Sequence, residues 1–505
     1  MLAKVISGAN VGLDSVPVTV EVDIASRGLP SFTLVGLGDR AVEEARERVR
    51  SAINNIKADF PAKRITINLA PADLPKEGPA FDLPIAIGLL IASEQLQADL
   101  SDTLIVGELS LDGSLRSTYG VLSYAILAKT LGLKRIFVPY DNAVEAAVVD
   151  GVEVYAFKDL LEVFNFLTNS LEVLPYPKTE LALEGDLIYE YDFVEVKGQN
   201  QARRALEIAA AGGHNVLLKG PPGSGKTLLS RCFPSILPPL TKDEALEVTR
   251  LYSVSGNLSP EKPIVTIRPF RSPHHTASYV GMIGGGNNVK PGEVSLAHRG
   301  VLFLDELPEF PRQVLESLRQ PLEDRKITIS RASGTLTFPS QFILLAAHNP
   351  CPCGFLGSPK KNCVCMPGQI SRYKKKISGP LLDRIDIHLD VPAVEADKLT
   401  NQEKGEDSKS IRKRVQEARQ LQLKRFDGSK ILTNSEMSNS QIKQYCQITK
   451  DALELLKLAI SQMNLSARSY HRILKIARTV ADLDKSAKIL EQHIAESLTY
   501  RPQEI

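Results

Sequence analysis

The spacing of apolar and polar residues changes several times along this chain, and each change marks a predicted element. Val18-Thr19-Val20-Glu21-Val22 and Arg64-Ile65-Thr66-Ile67-Asn68-Leu69 alternate with period two and predict half-buried strands. Between them, Val42, Ala45, Val49 and Ile53 recur at helical spacing, predicting a helix within residues 39–57. Residues 83–93 are almost wholly apolar. That is too short to cross a bilayer and predicts a buried helix. Residues 107–113 predict a hairpin turning at Asp112-Gly113, and residues 135–139 a further buried strand. Three short apolar runs follow at 216–218, 301–304 and 342–347, each ending in polar residues. Continuous runs of this kind suit strands covered on both faces. Beyond residue 411 the helical period dominates.

These segments predict four parts. A first domain of mixed strands and helices covers residues 1–170, and a Pro-rich, acidic linker covers 171–195. An α/β unit covers 196–395, and a helical domain covers 396–505 with a polar connection at 395–410. The length of 505 residues suits two or three domains. A composition that is 43% hydrophobic and 24% charged is that of a soluble globular protein. The net charge of +2 means that any basic binding surface must be local. Residues 1–10 carry no basic-then-apolar leader, so a cytoplasmic protein without a membrane partner is expected.

The chemistry is concentrated in the α/β unit. Gly220-Pro221-Pro222-Gly223-Ser224-Gly225-Lys226-Thr227 fits the P-loop pattern at every fixed position, between an apolar strand and a helical run. Glycines let backbone N–H groups turn inward around phosphate oxygens, and the following helix N-terminus adds a favourable dipole. Lys226 would neutralise the β- and γ-phosphates of ATP, and the Thr227 hydroxyl would hold Mg²⁺. The run 301–304 ends in Asp305-Glu306. There Asp305 would hold Mg²⁺ and Glu306 would polarise the attacking water. The run 342–347 ends in His348-Asn349, where the Asn349 amide would orient that water.

The order of these three motifs resembles AAA+ ATPases. Phe270-Arg271-Ser272-Pro273-His274-His275-Thr276, Pro291-Gly292-Glu293-Val294-Ser295-Leu296-Ala297-His298 and Ser378-Gly379-Pro380-Leu381-Leu382-Asp383-Arg384-Ile385-Asp386 are similar to the magnesium-chelatase-like branch. With its N-terminal region, nearly the whole chain resembles the YifB/ComM family. That resemblance implies an α/β fold: an AAA+ P-loop NTPase core with a helical lid, preceded by an α+β Lon-protease-like domain of the ribosomal S5 domain 2-like kind. It also implies a homohexameric DNA helicase that promotes branch migration in natural transformation, acting on single-stranded, forked or four-way DNA. Arg384 matches the arginine finger reaching a neighbour's ATP, and Arg468 matches the sensor-2 arginine, with Arg472 in reserve. For each, a surface salt bridge is the plain alternative.

Residues 74–85 and 107–142 resemble the Lon proteolytic domain, yet Ala80 follows Lys76-Glu77-Gly78-Pro79 where the nucleophilic serine would stand. Lys129 is the nearest lysine downstream, so no peptidase activity is expected. Cys351, Cys353, Cys363 and Cys365 form a C-x-C…C-x-C set within the loop 351–365. Such a set suits either a structural Zn²⁺ or four reduced thiols on a loop. Candidate DNA contacts are Lys290 after a glycine-rich stretch, and Lys326 and Arg331 on an expected hairpin. The run Arg372-Tyr373-Lys374-Lys375-Lys376 is a further basic patch, or a solvated face. The adjacent His274 and His275 are expected to be structural or coupled to nucleotide. Competing functions are a metal-insertion ATPase working with chelatase partners and a protein-remodelling chaperone.

Overall fold

The computed structural model describes residues 2–181, 189–259, 261–286, 289–331, 334–357, 361–393, 405–429, 431–463 and 465–501. Residues 182–188 of the expected linker and 395–404 of the expected polar connection lie outside them. The chain divides into two compact units.

The first unit holds residues 1–183, 241–266 and 330–336. The seven strands of its main sheet are β1 (Leu2–Val11), β2 (Asp14–Ile24), β3 (Ser31–Val35), β4 (Arg64–Ala70), β5 (Thr103–Ile105), β6 (Arg135–Pro139) and β7 (Glu153–Phe157), in the order β3-β4-β2-β1-β5-β6-β7. The long hairpin β1–β2 and the β2–β4 pair are antiparallel, and every other pairing is parallel. Alternate residues of β2 and β4 are buried, as their period-two pattern requires. The apolar helix Asp82–Ala92 is buried on nearly every side. The helix expected within 39–57 is two: Arg40–Glu43 and Ala45–Asn55. At the start of the first, the Asp39 carboxylate accepts both the Val42 and Gly78 N–H groups at 3.0 Å and ties that turn to the 76–78 segment.

Asp82 is the main polar liability of this core. It is fully buried and accepts from Arg48 Nε at 2.6 Å, Arg48 Nη2 at 3.0 Å and the Leu109 N–H at 3.2 Å. Burial pushes its carboxyl up to about 6 even against the adjacent guanidinium. Asp82→Ala leaves Arg48 facing the core unpaired and should cost about 3–5 kcal/mol, read as a lowered urea midpoint with an unchanged slope.

Residues 241–266 belong to this unit although they follow the P-loop in sequence. The helix Lys242–Ser255 begins with a capping box between Thr241 and Glu244. Near its end, Ser253 donates its hydroxyl to the buried Glu145, which also accepts the Leu122 N–H at 2.9 Å. Arg250 pairs with Asp14 at 2.5 Å. Ala80 sits on the one-turn helix Pro79–Phe81, buried, with its carbonyl accepting the Gly107 N–H at 2.9 Å.

The second unit holds residues 184–240, 267–329 and 337–505. Its sheet comprises β8 (Val216–Lys219), β9 (Phe270–Arg271), β10 (Val301–Leu304), β11 (Ile343–His348) and β12 (Ile387–Asp390), ordered β9-β10-β11-β8-β12 and wholly parallel. The strands are short apolar runs because both faces are covered. On one face lie Leu206, Ile208, Leu229 and Phe233 with Val216, Leu218 and Leu345. On the other lie Val314, Leu315, Leu318 and Leu381 with Leu302, Leu304 and Ala346. The three expected chemical strands are therefore neighbours, β10-β11-β8, and their C-terminal ends lie side by side. In an open parallel sheet, that edge is where ligands bind. The helical part, with long helices Ser408–Arg425, Lys450–Gln462 and Ala467–Leu483, packs around Leu456, Ile473 and Leu474. Arg425 and Arg478 share the buried Asp482 there.

Candidate nucleotide site

The loop leaving β8 is shaped by its glycines. Gly223 and Gly225 have φ of +73° and +88°, a backbone region that side chains rarely adopt. At Gly220 a Cβ would lie 2.2 Å from the Val391 carbonyl oxygen, so only glycine fits there. The helix Lys226–Cys232 starts immediately after Gly225. Lys226 is buried and donates to the carbonyl oxygens of Gly220 at 2.8 Å and Pro221 at 2.9 Å, and to Asn349 Oδ1 at 3.3 Å. Burial pushes its ammonium below the ordinary lysine value, against the pull of Asp305. A buried cation held by neutral oxygens, at a helix start, is a receptor for anionic phosphate. Thr227 Oγ1 donates to Asp305 Oδ2 at 2.9 Å, so two hard oxygens adjoin beside it, the donor type that Mg²⁺ takes.

Glu306 is held in the left-handed region, at φ +52° and ψ +44°, with its N–H donated to Asp305 Oδ1 at 2.9 Å. A glutamate in this conformation costs roughly 1 kcal/mol, and such strain concentrates where a side chain must be aimed. His275 Nδ1 lies 3.4 Å from Glu306 Oε2, and its ring stacks on His274 with centroids 4.1 Å apart. The structure therefore brings together Lys226, Thr227, Asp305, Glu306 and Asn349, and adds His275. From just before the helix Asn200–Gly212, Gln199 Nε2 donates to the Ser224 carbonyl at 3.3 Å and to the Pro392 carbonyl at 2.9 Å, bracing the loop.

Arg384 and Arg468 form a second cluster. Arg384 donates to the Pro380 carbonyl at 2.8 Å and pairs with Glu323, while its buried Nε has no hydrogen-bond partner among the described residues. The Arg384 guanidinium holds the Glu323 carboxyl below the usual range, helped by Arg468 and Arg319. Arg468 lies 3.6 Å from Asp383. The segment carrying Arg384 is pinned from two sides. Asn215, at the entry to β8, donates to the Arg384 carbonyl at 3.0 Å, and Arg472 donates to the Ile385 carbonyl at 2.7 Å. Arg472 is buried in that structural role, whereas Arg468 is half exposed.

The strands Lys326–Arg331 and Gly334–Pro339 pair in the expected hairpin; residues 332–333 at its turn lie outside the described residues. Lys326 and Arg331 on it are exposed, as is Lys290, which follows residues 287–288, also outside them. Tyr373 corrects the reading of the 372–376 run. Far from being free to stack on a base, it is buried on the helix Pro367–Lys374, its hydroxyl near the Asn349 backbone. Burial pushes that hydroxyl up to about 12. Lys376 pairs with Glu309 at 2.9 Å.

The Sγ atoms of Cys351, Cys353, Cys363 and Cys365 all lie within 4.8 Å of one another, and all four are free thiols. Cys351 Sγ is 3.4 Å from Cys353 Sγ and 3.6 Å from Cys363 Sγ. The backbone N–H groups of Phe355 and Val364 draw the Cys353 thiol down to about 6.

Three family models match successive parts of the chain: magnesium chelatase, subunit ChlI, over residues 192–399; subunit ChlI of Mg-chelatase over 20–142; and magnesium chelatase, subunit ChlI C-terminal, over 405–501. The chain is 46% identical to competence protein ComM of Haemophilus influenzae, over 99% of this chain and 97% of that protein. It is 45% identical to protein YifB of Escherichia coli over the same shares. A shorter likeness, 31% identity over 113 residues, links it to Lon protease 2 of Bacillus subtilis, covering 22% of this chain and 19% of that protein. With these matches spanning both units, and with the P-loop strand set between its neighbours in a parallel sheet, the chain belongs to the YifB/ComM family of magnesium-chelatase-like AAA+ proteins.

Proposed function

We propose that this chain is the subunit of an ATP-driven motor that assembles as a homohexameric ring in the cytoplasm. In this reading it moves branched DNA during recombination of incoming DNA in natural transformation. The supporting observation is the convergence of Lys226, Asp305, Glu306 and Asn349 at the ends of three adjoining strands. The competence relative, matched along nearly its whole length, supports the biological setting.

In this reading the P-loop N–H groups and Lys226 bind the ATP phosphates, and Thr227 and Asp305 hold Mg²⁺, which when bound spreads the developing phosphate charge. Glu306 accepts a proton from the attacking water while Asn349 fixes its position. Arg384, paired with Glu323, and Arg468, beside Asp383, both serve the nucleotide of the neighbouring subunit. The four cysteines hold a structural zinc. Their Sγ separations of 3.4 and 3.6 Å sit close to the ~3.8 Å edge of a tetrahedron with Zn–S bonds of ~2.3 Å. Among the described residues no helix is long and apolar enough to cross a membrane.

The test is ATP turnover measured with a labelled four-way junction, a fork and plain duplex. Branched DNA should stimulate turnover and be resolved into duplex products. ATP hydrolysis indifferent to every DNA, but raised by unfolded protein, would replace the motor with a remodelling chaperone. Arg331→Ala should weaken DNA binding across sequences and reduce the salt slope by about 1, as loss of one phosphate contact does.

A further inference from the structure

We propose that the four-cysteine knuckle, loaded with a thiophilic divalent cation of the zinc class, is a splint that sets the position of Asn349 against the P-loop and thereby the rate of ATP hydrolysis. This rests on the ATPase reading above and adds regulation of that site by metal loading.

Three separate ties carry it. The first is covalent. Asn349, whose Oδ1 accepts from Lys226, is followed by the buried Pro350 and then by Cys351, which is fully buried. A cation bound at the Cys351 Sγ is thus two residues from the amide that faces the phosphate site. The second tie leaves from the other end. Cys365 is followed by Met366 and the helix Pro367–Lys374, on which Tyr373 is buried with its hydroxyl near the Asn349 backbone. Asn349 is therefore approached from both ends of one metal-closed loop.

The third tie is steric. Gly354 lies inside the knuckle with φ +83°, its N–H donated to the Cys351 carbonyl at 2.9 Å. A Cβ there would stand 2.5 Å from Pro222 Cδ and 3.8 Å from Asn349 Cγ. The knuckle backbone thus rests directly on the P-loop at Pro222. A short loop closed by two C-x-C pairs has little apolar surface to hold it. Val364 and Met366 are 84% and 71% exposed. The metal bonds would supply the rigidity that packing does not. Only rigid support keeps a water-orienting amide within the narrow tolerance that catalysis needs.

The test uses the full chain without DNA, so the motor reading does not enter. Fresh protein is analysed for metal, then stripped with a chelator. ATP turnover, affinity for a fluorescent ADP analogue and thermal midpoint are measured before stripping, after it, and after adding back Zn²⁺ or Cd²⁺. About one zinc per chain is expected. Stripping should lower kcat about 10- to 100-fold, the usual effect of losing a supporting shell, and add-back should restore it. ADP affinity should change far less, because Asn349 faces the γ-phosphate side. Tyr373→Phe should lower kcat with metal content unchanged, and Gly354→Ala should lower both kcat and ADP affinity with metal retained. Metal absent from fresh protein, or turnover unchanged by stripping, overturns the splint. If stripping also melts the chain, the two variants decide. Reduced kcat with metal bound supports the proposal, and full rate in both overturns it. Metal-loaded wild type that binds nucleotide without ever hydrolysing it sinks the ATPase reading itself, and the splint with it.

Discussion

Lys226→Ala should abolish ATP turnover, lowering kcat by at least about 100-fold, the scale set by removing one preorganised charge from a dry phosphate site. The expectation follows from where the ammonium sits. It is buried, pushed toward neutrality by its surroundings, and touched by two P-loop carbonyls and Asn349 Oδ1. Phosphate oxygens offer it a stronger partner than any of these, and alanine offers phosphate nothing in return. Affinity for ATP should fall with the rate, because the same charge serves ground state and transition state. Glu306→Gln should separate the two effects. A glutamine keeps the shape but cannot take a proton, so ATP should bind while kcat falls about 10²–10⁴-fold. Phosphate release and binding of a fluorescent nucleotide read both variants. A Lys226→Ala protein that turns over ATP at the parental rate would remove the P-loop from the mechanism.

How much of this was legible beforehand depended on whether a feature is local in sequence. The P-loop, the Asp305-Glu306 strand end and the Asn349 strand end announce themselves because each is a short run whose own residues make the turn or the strand. The period-two patterns of β2 and β4 were readable for the same reason. Tyr373 was not. Inside Arg372-Tyr373-Lys374-Lys375-Lys376 it has the look of a stacking residue, and only the fold buries it, near a backbone group 24 residues upstream. His275 was singled out, but its partner Glu306 lies 31 positions away, and no spacing rule links them. The helix Lys242–Ser255 comes soon after the P-loop helix, yet packs with N-terminal residues through Ser253, Glu145, Arg250 and Asp14, contacts between distant positions. The cysteine pattern offers four candidate ligands but does not show that Gly354 between them leans on Pro222.

Arg384→Ala should lower kcat about 10³–10⁵-fold, the range seen when an arginine finger is lost, while leaving ATP binding nearly intact. A surface ion pair makes a very different forecast. Were Arg384 merely the partner of Glu323, its loss would cost at most about 1 kcal/mol of stability, and Glu323→Ala would have the same effect. In the finger reading, Glu323→Ala frees the guanidinium and spares most of the activity. Arg384→Lys should not rescue, because a lysine is a point charge without the planar fork. The decisive experiment mixes two dead proteins. An Arg384→Ala subunit keeps its own P-loop, and a Lys226→Ala subunit keeps its own finger. If the finger acts across a subunit boundary, a mixed ring contains interfaces where an intact P-loop meets an intact Arg384, and turnover returns to a fraction of the parental rate that depends on the mixing ratio. If Arg384 serves the nucleotide of its own chain, no mixed interface is complete and every ratio stays dead. Arg468 shares the same acidic neighbourhood through Asp383, so Arg468→Ala mixed with Lys226→Ala should recover in the same way. Recovery with Arg384 alone would place Arg468 on its own subunit's ATP, and would split a cluster that the structure draws together around Glu323 and Asp383.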